Sequence, residues 1–293
     1  MTEPAGFAPA RDRDAWAPIS GFLYQVEVSV LRLIELGEND LLELERGEDI
    51  DLIAGAFDSS LKDSLRVLEQ IKTRNRDLYL RNPSARTPIA NFHSHRNSNP
   101  GRRLRFRFTT NASATVQRPS PFADPTPGIT VWEELRHGGL DEGARTARLG
   151  GIRELLTSES RPEGCPSDIW SSFQGWLATV PDDELLSFVA DFEWATLSTG
   201  PHALRQQIVQ QLQSRGYART APEAEQQCDR LVVAVLRILA QPGIKQLQRA
   251  DLERIVADSA LHPGAGRLIA TIAQLRKDFP QSPYIRDAKV LEN

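Results

Sequence analysis

The hexapeptide Leu104-Arg105-Phe106-Arg107-Phe108-Thr109 alternates apolar and polar side chains without a break. Successive side chains of a strand point to opposite faces, so this stretch predicts a β-strand with Leu104, Phe106 and Phe108 inward and Arg105 and Arg107 outward. Upstream, Leu42 and Leu44 alternate with Glu43 and Glu45, and Ile50, Leu52 and Ile53 resume the apolar pattern after Arg46-Gly47. That predicts two short strands, or one strand bulged at Gly47. Leu65–Arg74 reads as a further strand. A chain carrying these strands must build a sheet and cover its faces.

Helical segments supply the cover. Ser20 is placed to cap a helix over Gly21–Leu36, where Phe22, Val26, Val30, Leu33 and Ile34 recur at helical spacing and Gly37 can end it. From about Thr130 the pattern becomes mainly helical, with segments at 152–156, 170–177, 184–192, 203–213, 222–239, 250–258 and 266–279. Residues 58–64 read as a turn, 75–103 as a long loop with a short helix near 88–93, and 112–128 as a proline-rich loop. The expected organisation is a polar arm at 1–17, an α+β or α/β unit over 18–148, and an all-helical region over 149–293 serving regulation, linkage or oligomerisation. At 40% hydrophobic and 25% charged residues, the composition is that of a globular protein. No apolar run reaches the roughly 18 residues of a membrane span, which argues against a membrane partner. The opening residues lack the apolar stretch of a secretory signal. Two cysteines, Cys165 and Cys228, are too few for a disulfide framework, so a reducing cytoplasmic setting is expected.

Charge is unevenly spread. Between Lys72 and Arg107 lie ten cationic residues and one acid, Asp77, so this window carries +9 while the chain as a whole carries −4. Nine of the ten are arginines, which suit bidentate phosphate contacts. A basic belt on an acidic protein predicts a local polyanion site. His93-x-His95 is a weak zinc pattern, since no third ligand lies nearby in sequence.

Asp51 lies in Asp49-Ile50-Asp51-Leu52-Ile53, and Gln70-Ile71-Lys72 lies on the next strand. Pairing Asp51 with Gln70 centres a hairpin on Ser60-Leu61, inside the expected turn. Residues 70 and 72 then share one face, beside the aspartate, and Ile71 points into the core.

This arrangement resembles the PD-(D/E)XK nuclease superfamily, in its Mrr-like branch where glutamine replaces the second acid. Gly21-Phe22-Leu23-Tyr24-Gln25, Glu48-Asp49-Ile50-Asp51, Gln70-Ile71-Lys72-Thr73 and Phe108-Thr109-Thr110-Asn111 match in order and spacing one family of that branch. That family comprises the double-strand DNA endonuclease domains of bacterial antiphage effectors, including those linked to cyclic-oligonucleotide signalling. The likeness covers about residues 18–115. It implies a restriction-endonuclease-like mixed sheet flanked by helices, and a metal-dependent endodeoxyribonuclease acting on double-stranded DNA.

Carried over residue by residue, the resemblance makes Asp51, Gln70 and Lys72 catalytic. Asp51, Gln70 and the Ile71 carbonyl would hold Mg²⁺, with Mn²⁺ as substitute, and Lys72 would stabilise the phosphorane or orient the water. Gln25 and Asp49 are accessory candidates, and Glu48, Asp49 or Glu45 could supply the charge that Gln70 lacks. Arg74, Arg76, Arg102, Arg103 and Arg105 would hold flanking phosphates. A double-strand cut implies a homo-oligomer, or assembly with a sensor or NTPase protein or an attached regulatory domain. The competing reading is a catalytically inactive nucleic-acid-binding or assembly module coupled to such a partner.

Overall fold

The computed structural model describes residues 16–57, 64–74, 76–157, 160–196 and 200–257. Strands β1 (Leu41–Leu44), β2 (Ile50–Ala54) and β3 (Leu65–Lys72) form an antiparallel meander. Strand β4 (Leu104–Thr110) lies parallel to β3, and β5 (Phe192–Ala195) parallel to β4. Strand β6 (Lys245–Leu247) pairs antiparallel with β1, giving the order β5-β4-β3-β2-β1-β6. The expected class, a mixed sheet flanked by helices, is the one that forms. Residues 149–257 are mainly helical, yet they also place a short strand at each edge of the sheet. Most of the expected 58–64 turn, the arm through residue 15 and the expected 266–279 helix lie outside the described residues.

Parallel strands need a crossover, and here it is a helix. Helix α2 (Pro83–Ser98) occupies most of the stretch expected to be loop. Its asparagine, serine and proline content hid it, and those residues act at its start. The Asn82 side chain accepts the Ser84 amide at 2.9 Å, and Pro83 needs no amide partner in the first turn. Pro88 lies inside the helix, and tertiary packing offsets its cost: Ile89, Ala90 and Phe92 are buried, and the Phe92 ring packs 5.6 Å from Phe106 and 5.1 Å from Phe188.

Two cores sandwich the sheet. On one face Leu68, Phe106, Phe108, Phe192 and Trp194 pack under α2, α3 (Gly128–His137), α4 (Glu142–Thr157), α5 (Ser167–Thr179) and α6 (Asp182–Ala190). On the other, Leu42, Leu44, Ile50 and Ile71 pack under α1 (Trp16–Glu35), α7 (Pro201–Ser214), α8 (Ala221–Leu239) and α9 (Arg249–Ala257). Among the described residues no helix is long and apolar enough to cross a membrane.

Between α1 and β3 lies a buried charge. Glu69 is 2% exposed and takes two hydrogen bonds from Arg32, at 2.7 and 2.8 Å, and one from Thr109. Burial alone raises its pKa, but the Arg32 guanidinium and the more distant Arg107 outweigh it and hold the carboxyl below its ordinary 4.5. Replacing Glu69 by Gln removes the charge that faces Arg32, leaves that guanidinium only Glu35 at 2.7 Å, and is expected to cost on the order of 3 kcal/mol in urea unfolding. Because the folded pKa is lowered, the wild type's advantage is full above about pH 4.5 and shrinks as pH falls through the folded value. A constant difference from pH 7 to pH 3 would contradict this.

Candidate active site

The connection between β1 and β2 is a five-residue turn, Glu45 to Asp49. The Glu45 amide donates to the Asp49 carbonyl at 3.1 Å, and Glu45 takes a left-handed φ of 53°. Asp51 locks this turn: its carboxylate accepts the Gly47 amide at 2.9 Å and the Glu48 amide at 3.2 Å. A Cβ on Gly47 would lie 2.9 Å from the Leu68 side chain and 3.0 Å from the Asp51 carboxylate, so any other residue there would displace them. Asp51 also takes Arg66 at 2.6 Å, and Arg66 pairs with Glu43. At 0% exposed, Asp51 is wholly enclosed. Burial pushes its pKa up, with Arg66 and the two amides opposing.

This register corrects the expected one. Asp51 stands opposite Leu68, not Gln70. Continuing the ladder one step past Ile50–Glu69 puts Asp49 opposite Gln70. The parity argument holds, since both pairings leave Asp51, Gln70 and Lys72 on one face. The neighbours change, however. Asp49 accepts the Ile71 amide at 2.7 Å and lies 4.0 Å from the Lys72 ammonium. Gln25, from α1, donates to the Ile71 carbonyl at 3.4 Å and also hydrogen-bonds Asp49. Gln70 donates to Glu48 at 3.0 Å, and Glu48 in turn meets His95 at 3.3 Å. The structure thus gathers Gln25, Asp49, Gln70, Ile71 and Lys72, and adds Glu48 and His95. Asp51 belongs to the adjoining Arg66–Glu43 cluster. Burial raises the Asp49 pKa and Glu48 adds to that, while Lys72, the Ile71 amide and Gln25 pull it down; the net shift is upward.

The basic belt divides. Arg86 is buried over the Trp170 ring at 5.5 Å, and Arg107 pairs with Glu193 at 3.0 Å; both hold the fold together. Arg74 follows the lysine directly, its amide donating to the Asn111 side chain at 2.7 Å and its carbonyl accepting from it at 3.1 Å. Arg76 is exposed at the same end of the sheet. Arg102, Arg103 and Arg105 are exposed too, but they lie at the opposite end of β3 and β4, because Arg66 faces Leu104 while Lys72 faces Thr110. At about 3.3 Å per residue that separation is roughly 17–23 Å. A groove of about 480 Å³ runs from Arg102 and Arg103 past Arg66 and His95 to Arg46, without reaching Lys72. His93 and His95 turn to different neighbours, His93 to Asn97 and His95 to Glu48, so they form no zinc pair.

Among the described residues no group of three or more His, Cys, Asp or Glu side chains is arranged to hold a metal. The donors here are all oxygen: the Asp49 carboxylate, the Gln70 amide oxygen and the Ile71 carbonyl. That set suits Mg²⁺, which binds through few protein oxygens and keeps several waters.

No protein-family model matches the chain, and no curated protein matches it. Solved structures do. The Acinetobacter baumannii Cap4 SAVED/CARF-domain containing receptor with the cyclic trinucleotide 3'3'3'-cAAA gives a TM-score of 0.50 at 14% identity, over 85% of this chain and 45% of that one. Two further structures of the receptor, one with 2'3'3'-cAAA, give 0.49 at 15% identity, over 85% of this chain and 47% or 45% of theirs. The likeness is one of fold. This chain spans less than half the length of that receptor.

Asp51 and Asp49 are therefore separable by mutation. Asp51→Ala leaves two amides and Arg66 short of a partner and is expected to cost about 3 kcal/mol. Asp49→Asn is expected to cost under about 1 kcal/mol, as the side chain is partly exposed and an asparagine oxygen can still accept the Ile71 amide. Urea melts of the two variants check this ordering, and equal losses would overturn it.

Proposed function

We propose that the Asp49–Gln70–Lys72 cluster is the catalytic centre of a Mg²⁺-dependent endonuclease of double-stranded DNA, working as a regulated antiphage effector. One observation carries the reading. An aspartate, a glutamine and a lysine meet on one face at the shared end of two paired strands, with the aspartate 4.0 Å from the ammonium. The resemblance of residues 18–115 to effector nucleases supports it, with Asp49 taking the ligand role that the sequence pattern first suggested for Asp51.

Asp49, Gln70 and the Ile71 carbonyl would hold the metal. Bound there, Mg²⁺ supplies Lewis-acid stabilisation of charge building on the scissile phosphate. Gln25 holds the Asp49 carboxylate and the Ile71 carbonyl in place from α1. Glu48 takes the Gln70 amide nitrogen, which leaves the amide oxygen for the cation. Lys72, exposed and 4.0 Å from Asp49, offers its ammonium to the phosphate oxygens as negative charge grows in the transition state. Arg74 and Arg76 follow it directly and would take the next phosphates, a contact that carries no sequence preference and weakens with salt. For a sensor partner or attached domain, a cyclic oligonucleotide is the first activator to try, since the receptor of like fold was solved with a cyclic trinucleotide.

The competing reading, a non-catalytic DNA-binding module, draws support from the shortage of acids around Gln70. Plasmid incubation with Mg²⁺ against EDTA decides between the two. Wild-type protein is expected to nick or linearise plasmid only with the metal. Lys72→Ala and Asp49→Asn should each lower that rate at least 100-fold while shifting the melting temperature by no more than about 4 °C. Full activity in Lys72→Ala would refute the assignment. DNA binding without cleavage by wild-type protein, in the presence of the activator, would favour the module.

A further inference from the structure

A second cavity, of about 390 Å³, opens at the far end of β4, where α2 and α6 both finish. Its volume falls within the range of small-molecule sites. The wall on one side is aromatic: the His93 ring lies 4.8 Å from the half-buried Trp176 ring, and Phe188 backs Trp176 at 4.9 Å. The rim on the other side is cationic, with Arg102, Arg103 and Arg105 projecting from the start of β4. Two helix C-termini converge here, and their partial negative charge accounts for one arginine, Arg96, which sits 3.9 Å from Asp191 and over the Phe188 ring. Arg105 also lies within electrostatic reach of Asp191, while Arg103 and Arg105 both belong to the strand side and are exposed.

His93 adds an independent sign. It is 3% exposed and lines the cavity, yet its Nδ1 has no hydrogen-bond partner among the described residues. A buried ring nitrogen left unpaired is costly, and a ligand atom is one way to satisfy it. The two carboxylates at the cavity, Asp191 and Glu184, are partly engaged by Arg96 and by the Trp176 indole N–H at 3.1 Å. Their remaining lone pairs suit the hydroxyls of a sugar or an exocyclic amine.

We propose that this cleft binds a nucleotide unit, its base seated against the His93–Trp176 wall and its phosphate held by Arg103 and Arg105. An aromatic wall with a guanidinium rim is the combination that recognises such a unit without reading sequence. The ligand is a free nucleotide or one nucleotide of a nucleic-acid strand, and both present the same chemistry. The site lies roughly 17–23 Å from Lys72 along the strands, so it stands independently of the catalytic assignment.

Calorimetry on the full chain in EDTA tests this with AMP, GMP, adenosine, inorganic phosphate and a short single-stranded oligonucleotide. Binding of AMP or GMP at least tenfold tighter than adenosine or phosphate supports the proposal and identifies a free nucleotide as sufficient. Binding of the oligonucleotide alone supports it with a strand as the source. In either case the double variant Arg103→Glu, Arg105→Glu is expected to weaken binding at least tenfold, and His93→Phe at least threefold. The proposal fails if no nucleotide form binds at millimolar concentration. It also fails if phosphate alone binds as tightly as AMP, or if the double variant binds like wild type.

Discussion

The carboxylate of Asp51 governs the geometry of everything around it. Enclosed at the junction of β1, β2 and β3, it closes the Glu45–Asp49 turn through two amides and ties it to β3 through Arg66. A slip of one residue between paired strands would turn every side chain to the wrong face, so an enclosed charge with a fixed partner across the ladder is a strong register device. With the register held, Asp49 stands at the mouth of the turn opposite Gln70, and Lys72 follows on the same face. One aspartate maintains the scaffold, and the other, two residues away and partly exposed, stands beside the lysine.

A similar division runs through β3. Its odd positions, Glu69 and Ile71, face α1, where one is neutralised by Arg32 and the other joins the apolar core. Its even positions, Leu68, Gln70 and Lys72, begin in the opposite core and end in solvent. The strand is anchored on both faces at its middle, through Leu68, Glu69 and Ile71, and opens to solvent at Lys72. That is the arrangement a site needs if its groups are to be held rigid and still meet a large substrate. Asn111 continues it by clasping the Arg74 backbone just beyond the sheet.

The arginines show how little a linear charge count says about role. Arg86 and Arg107 are spent on the fold, buried over Trp170 or paired with Glu193, whereas Arg103 and Arg105 line a separate cavity at the other end of the sheet. A single belt in sequence becomes two surfaces and several struts in space. Its cause is topological: the helical crossover returns the chain from the end of β3 to the start of β4, so residues just before and just after it stand at opposite ends of the strands.

Local pattern by itself determined β1 to β4 and most of the helices, but not the short edge strands β5 and β6, because alternation in Leu104–Thr109 and the apolar spacing of Val26, Val30 and Leu33 depend on burying one face. It also determined that Gln70 and Lys72 share a face with an aspartate, since that follows from a period of two. It did not reveal α2, whose polar, proline-bearing sequence becomes helical only when Asn82 caps it and Phe92 packs against Phe106 and Phe188. Nor did it reveal which aspartate faces the lysine, because shifting the pairing by two residues preserves every face and exchanges every neighbour. Only the tertiary structure decided that, by enclosing Asp51 with Arg66 and leaving Asp49 beside Lys72.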